Sequence, residues 1–410
     1  MKRNEAGNLQ HLKKLNRLVV LNTIRQHGSL SRKQLAKLIG LTPAAMTGIV
    51  RELVETGYVT EIGLGKSARG RRPVRLEFNP SAGFVVGVEI TRQRTTVGIV
   101  NLGAQPVVIK RLSIAMEEPR LGLERLAEET RNLIMSSGVE PKKILAMGVA
   151  YPGLVDRSTH TVKRSPNLGD KWRDVPVKAW LQELLGMEVF VENNSNAAAL
   201  AEYNFGKGNG VPNMAYINLG EGISAGIILN GTLVYGKKGF SGELGHMVID
   251  EDGPLCNCGN NGCLESLYSA LALVRRANSE IYLCGEEEPL RSVWREKGEI
   301  SIDDLLTWSS YPEGYAARLI RQAGWHIGRA IATIINLCDL EAVFVGGILA
   351  AAGSLLMDPL TESVKRHAFP ELVQEVRIEL SAMQEDTGFY GGCAVALQAL
   401  FEGRLDFYGE

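Results

Sequence analysis

Cysteine is scarce in this sequence, with six in 410 residues, and three of those six are crowded between Cys256 and Cys263. That distribution fits a reducing compartment with one metal site better than a disulfide framework. Long apolar runs are also missing. The most uniform one, from Ala342 to Gly353, is too short to cross a bilayer, and the charged stretch from Met1 to Gln10 has no apolar core behind it. No repeat or low-complexity tract interrupts a chain that is 45% apolar. These absences predict a cytoplasmic protein without a membrane partner, long enough for two or three domains with cores of their own.

Net charge is almost absent as well, at −1, but this near-neutrality hides an asymmetry. Residues 1–80 hold fifteen Lys or Arg against five Asp or Glu, so a head of about +10 precedes a body of about −11. A basic module on an acidic body is the layout of a nucleic-acid-binding head joined to a sensor or an enzyme.

The head reads as three helices. The first, Leu12 to Gly28, places Leu15, Leu18, Val19 and Ile24 at helical spacing before a glycine stop. The second opens on Ser31 and Gln34, a capping box, with Leu35, Leu38 and Ile39 on one face. The third has Thr42 as cap, Pro43 in the first turn, and Met46, Ile49, Val50 and Leu53 facing inward. Two strands follow, Tyr58 to Ile62 and Val74 to Phe78, around a loop carrying Lys66, Arg69, Arg71 and Arg72. The pattern predicts a winged helix-turn-helix. Ala44, Ala45, Thr47 and Arg51 on the outer face of the third helix are small or polar enough to approach base edges, and the wing cations could reach phosphates. A basic domain that binds another protein is the alternative.

Beyond Asn79 strands alternate with helices, and the strand-then-glycine theme occurs in two halves, which predicts an α/β body with a cleft. The body resembles the ROK family (repressors, open reading frames and sugar kinases). The resemblance rests on Glu243 and His246 spaced as Glu-x-x-His, on Cys256, Cys258 and Cys263, and on two Gly-rich loops, and it takes in the head. It implies a two-lobed actin-like, hexokinase-like (ribonuclease H-like) fold, with the head over 1–80, a first lobe over 81–200 and a second over 201–410 whose C-terminal helix could return to the first.

His246, Cys256, Cys258 and Cys263 supply one imidazole and three thiolates. That is a complete tetrahedral set with no position left for water, so one structural zinc per chain is expected. The family's sugar pocket carries over onto Asn167, Asn193, Asn194, Glu243, His246 and Glu265, and His246 can serve both sites, one ring nitrogen to each.

The chain departs from the kinase pattern at three points. The Asp that acts as base toward the sugar hydroxyl is replaced by Asn194, which cannot take a proton. The first phosphate loop reads Glu89-Ile90-Thr91-Arg92-Gln93 without its glycines, and the second, Gly220-Glu221-Gly222, sets a carboxylate where phosphate oxygens would lie. The expectation is therefore no catalysis and no ATP. Instead, a transcriptional repressor of carbohydrate genes is expected, a homodimer or dimer of dimers on two-fold operator DNA, controlled by a small neutral sugar as inducer or corepressor. The alternative is a sugar kinase with a fused head.

Overall fold

The computed structural model describes residues 4–64, 74–166, 168–383 and 386–405. The head runs α1 (Asn4–His27), β1 (Leu30–Ser31), α2 (Arg32–Ile39), α3 (Pro43–Glu55), β2 (Val59–Leu64) and β3 (Val74–Phe78), with the three strands antiparallel in the order β1-β3-β2. It is a winged helix-turn-helix. The capping box forms: Ser31 N donates to Gln34 Oε1 at 2.9 Å and Gln34 N to Ser31 Oγ at 3.3 Å. Gly40 then turns the chain at a φ of 77°, a left-handed value that other side chains resist.

Met46, Ile49, Val50 and Leu53 are buried. Three other expectations fail: Leu15, Val19 and Leu38 are 41%, 45% and 57% exposed. The buried apolar residues of α1 are Leu18 and Ile24, as expected, together with Val20 and Leu21. The wing cations Lys66, Arg69, Arg71 and Arg72 lie outside the described residues.

The body is built twice on one plan. The first sheet uses β4 (Phe84–Ile90), β5 (Thr95–Asn101), β6 (Pro106–Leu112), β7 (Ile144–Tyr151) and, after a small sheet of β8 (Leu154–Asp156), β9 (Thr161–Arg164) and β10 (Arg173–Val175), β11 (Glu188–Asn193). Its order is β11-β7-β4-β5-β6, with the first three strands in sequence antiparallel and the last two parallel to β4. The second sheet repeats this with β12 (Met214–Leu219), β13 (Ile223–Leu229), β14 (Thr232–Leu233), β15 (Ala342–Gly346) and β16 (Arg377–Leu380), in the order β14-β13-β12-β15-β16.

Helices α4 (Pro119–Ser136) and α5 (Val177–Leu185) cover the outer face of the first sheet. The second sheet is covered on its outer side by a helical layer. This comprises α7 (Leu264–Tyr268), α8 (Ala270–Glu280), α9 (Pro289–Lys297), α10 (Ile302–Trp308), α11 (Tyr315–Cys338), α12 (Ser354–His367) and α13 (Pro370–Val373). The acidic stretch from Asn278 to Gly314 thus forms helices α9 and α10 within that layer.

The two inner faces exchange helices. α6 (Asn194–Phe205) follows the first sheet in sequence but packs on β12 and β13 of the second, whereas α14 (Thr387–Phe401) follows the second and packs on β4 and β7 of the first. The two helices then pack on each other. Glycine permits α14 to lie close on β7: a Cβ on Gly148 would lie 2.0 Å from the Gly392 carbonyl oxygen.

The far end of α14 meets the head. Asn22 Nδ2 donates to the Phe401 carbonyl at 2.9 Å, the Arg25 guanidinium lies 4.2 Å from the centre of the Phe401 ring, and the Phe78 ring meets it edge-on at 6.1 Å. Leu21 and Met46 of the head therefore belong to one apolar cluster with Phe389 and Phe344 between the sheets.

Candidate functional site

At one end of the cleft a loop folds around sulfur. After the short turn Leu244–His246, Val248 bridges to Cys263 and Leu255 to Asn261, and Cys256 N donates to the Asn260 carbonyl at 2.8 Å. Gly262 is required: at a φ of 62°, a Cβ there would lie 1.4 Å from the Asp250 carbonyl oxygen. These turns bring the donor atoms of His246, Cys256, Cys258 and Cys263 within 4.8 Å of one another, the one such group of soft donors among the described residues. The Cys256 Sγ to His246 Nδ1 and Cys258 Sγ to Cys263 Sγ separations are both 3.6 Å. Those are the edges of a tetrahedron that a single metal ion fits, with three sulfur ligands and one nitrogen.

The other imidazole nitrogen points away from the sulfur atoms. His246 Nε2 lies 3.5 Å from a carboxylate oxygen of Glu243. Burial raises the Glu243 pKa; His246 opposes that rise and Glu265 adds to it. Glu265, in the first turn of α7, accepts from Ile223 N at 3.0 Å. A carboxylate, an imidazole and a second carboxylate thus sit together beside the metal cluster.

The remaining expected residues divide. Asn193 caps α6, its Oδ1 accepting from Ser195 N at 2.9 Å while its Nδ2 donates to the Gly153 carbonyl at 3.0 Å, so most of its bonding capacity is committed to structure. Asn194 opens α6, half-buried. Asn167 lies outside the described residues. In the head Ala44, Ala45, Thr47 and Arg51 are all exposed along α3, and Arg51 makes an exposed pair with Glu55 at 3.8 Å.

Glu89 is the next-to-last residue of β4. Its carboxyl is buried against the start of α14, where a Cβ on Gly388 would meet Glu89 Oε1 at 1.9 Å, and Glu89 Oε2 has no hydrogen-bond partner among the described residues. Burial pushes its pKa up to about 7, opposed by Arg94 and Arg111 and assisted by Asp386. Glu221, which lines a small cavity together with Cys256, Asn257 and Glu265, is also raised by burial, with Arg92 opposing.

Sequence reasoning missed Arg164. From the end of β9 its Nη2 reaches across to the second lobe and donates to the Asn257 carbonyl at 3.0 Å. A cross-lobe contact to a backbone oxygen leaves no periodicity or spacing to find.

A profile described as ROK family matches residues 85–399. The chain belongs to the ROK family. A MarR family profile matches residues 14–61, within the head, so this ROK chain carries its own DNA-binding module. It is 31% identical over 95% of its length to a putative xylose repressor of a Caldicellulosiruptor species, covering 97% of that protein. A crystal structure of a ROK family transcriptional regulator, a homologue of the E. coli MLC protein, superposes with a TM-score of 0.84 at 30% identity, over 96% of this chain and 98% of that one. A ROK family glucokinase from Streptomyces griseus, solved with glucose and AMPPNP, gives a TM-score of 0.67 at 27% identity, covering 77% of this chain and 99% of that one. The kinase likeness thus takes in the body, and the regulator likeness takes in the head too.

Proposed function

We propose that the protein is a transcriptional repressor of carbohydrate genes that is not an enzyme, and that a small neutral sugar bound in the cleft sets its hold on operator DNA. The observation that carries this reading is Glu89. Its buried carboxyl fills the approach to the start of α14, where the kinase pattern has its first phosphate loop, while the Glu243–His246–Glu265 group stays polar and partly open. ATP loses its place there and a sugar keeps its own. Asn194 adds to this, since a carboxamide takes no proton from a sugar hydroxyl.

In this reading Glu243 and Glu265 accept from sugar hydroxyls, with Asn193, Asn194 and Asn167 around them. His246 holds a structural zinc through Nδ1 together with Cys256, Cys258 and Cys263, and turns Nε2 toward Glu243 and the sugar. The zinc supplies rigidity and no reaction step. Arg51, Thr47, Ala44 and Ala45 face base edges, and Lys66, Arg69, Arg71 and Arg72 the phosphates. Two heads of a homodimer, or of a dimer of dimers, span a two-fold operator. The similarity to a putative xylose repressor and to a glucose-bound ROK glucokinase supports a pentose or hexose as the effector. Because α14 joins the cleft to the head, closure of the lobes on sugar moves the surface on which α1 rests. Full reversal of operator occupancy needs a preference of about 5.5 kcal/mol for the released state.

Operator binding measured with D-xylose, D-glucose and N-acetylglucosamine tests the reading. One of these should release DNA from the wild type, and Glu243→Ala should bind operator normally but fail to respond, since sugar hydroxyls would lose a charged acceptor. By linkage, operator should weaken sugar binding by the same factor. Sugar-dependent ADP production at on the order of 1–10³ s⁻¹ would instead mark a working kinase.

A further inference from the structure

We propose that Arg164 is a positioning residue that clamps the first lobe to the metal loop of the second, so that the metal orders the sugar side of the first lobe without touching it. The inference rests on the reading of the cleft as a sugar pocket. Asn257, whose carbonyl accepts from Arg164 at 3.0 Å, lies between Cys256 and Cys258. That oxygen therefore hangs between two metal ligands, in a turn already tightened by the bonds from Cys256 N to Asn260 O at 2.8 Å and from Gly259 N to Cys256 O at 2.9 Å.

Arg164 is equally fixed at its own end. It stands opposite Leu154 of β8 on one side and Arg173 of β10 on the other. The loop that begins directly after it is closed by Ser165 N to the Trp172 carbonyl at 3.1 Å and Leu168 N to the Ser165 carbonyl at 3.2 Å, with Trp172 fully buried. Its backbone also abuts Gly153, where a Cβ would lie 2.5 Å from the Arg164 carbonyl oxygen, and the Gly153 carbonyl accepts from Asn193 Nδ2 at 3.0 Å.

A contiguous path thus runs from the metal loop through Arg164 to the cap of α6. Arg164 forms no ion pair among the described residues, which leaves its guanidinium committed to this one cross-lobe acceptor. The long reach and planar donors of Arg suit a carbonyl in the opposite lobe, and Lys would reach it with a single freely rotating nitrogen and less geometric definition.

The test compares metal-loaded wild type, Arg164→Ala and Arg164→Lys by zinc content, sugar-free operator affinity, calorimetry with D-xylose and D-glucose, and hydrogen exchange of the amides from Leu168 to Trp172. The exposed site makes Arg164→Ala foldable. It should keep its zinc and its operator affinity, weaken sugar binding by roughly two- to tenfold, and speed exchange in that loop, with Arg164→Lys recovering part of both losses. Removing zinc with a chelator, or by Cys258→Ser, should speed the same amides in the wild type but add nothing once Arg164 is Ala. Additive effects, or unchanged exchange, overturn the clamp; loss of zinc from Arg164→Ala would make Arg164 a brace of the metal loop itself and also overturn it. If the wild type binds neither sugar, the pocket reading fails, and the exchange comparison alone decides the clamp.

Discussion

Replacing Glu89 by Gln should remove a specific part of the protein's pH dependence. The carboxyl is raised from 4.5 to about 7 because it is buried against α14, with one oxygen unpartnered among the described residues. A carboxyl raised on folding holds its proton more tightly folded than unfolded. The stability it contributes is fully present below pH 4.5, falls as the pH rises toward 7, and stays lost above it. At about 1.4 kcal/mol per tenfold change in proton affinity, the loss is about 3 kcal/mol between pH 4.5 and pH 8. Gln keeps the shape and cannot ionise. Urea unfolding of both proteins at pH 5 and pH 8 therefore provides the assay. The wild type should lose about 2–3 kcal/mol more than Glu89→Gln over that interval, the variant being the more stable at pH 8. If the two profiles run parallel within about 0.5 kcal/mol, the carboxyl is not the desolvated group described, and the argument that it displaces phosphate weakens with it.

Three further outcomes follow from other parts of the molecule. Cys258→Ser should drop the metal content from about one zinc per chain to none and lower the melting temperature of the body, as read by metal analysis and calorimetry. Arg51→Ala should relax base choice at one operator position by roughly 1–3 kcal/mol while leaving sugar affinity alone, which binding to a set of operator variants would reveal. Phe401→Ala removes the ring that Arg25 and Phe78 pack on. It should leave sugar binding and operator binding each near normal and cut their coupling by about 0.5–2 kcal/mol, measured as operator affinity with and without sugar.

The head was readable because its signals are local. A capping box, a Pro in a first helical turn and a Gly after a helix act within four residues, so Ser31, Pro43 and Gly40 announce their roles without knowledge of partners. The Cys cluster was readable because its donors are close in sequence. Leu15, Val19 and Leu38 misled for the opposite reason: helical spacing reveals apolar positions but not which of them a neighbouring element covers. α14 shows the limit most clearly. Its sequence from Thr387 to Phe401 is apolar on nearly every side, as a helix enclosed between two layers must be, so periodicity marks no inner face and cannot say which sheet it covers. Arg164 is a surface arginine in sequence and a cross-lobe donor only in three dimensions.

The exchange of α6 and α14 between the sheets sets an order of events during synthesis. The first sheet is translated long before the helix that seals its inner face, and α14 is also the surface on which the head rests. A nascent chain therefore carries a head with no seat and a sheet with one bare apolar side until α14 emerges. Operator control can begin only after the chain has closed on itself, and a chain cut short before Thr387 would leave a head that reaches DNA with nothing behind it to carry the effector's message.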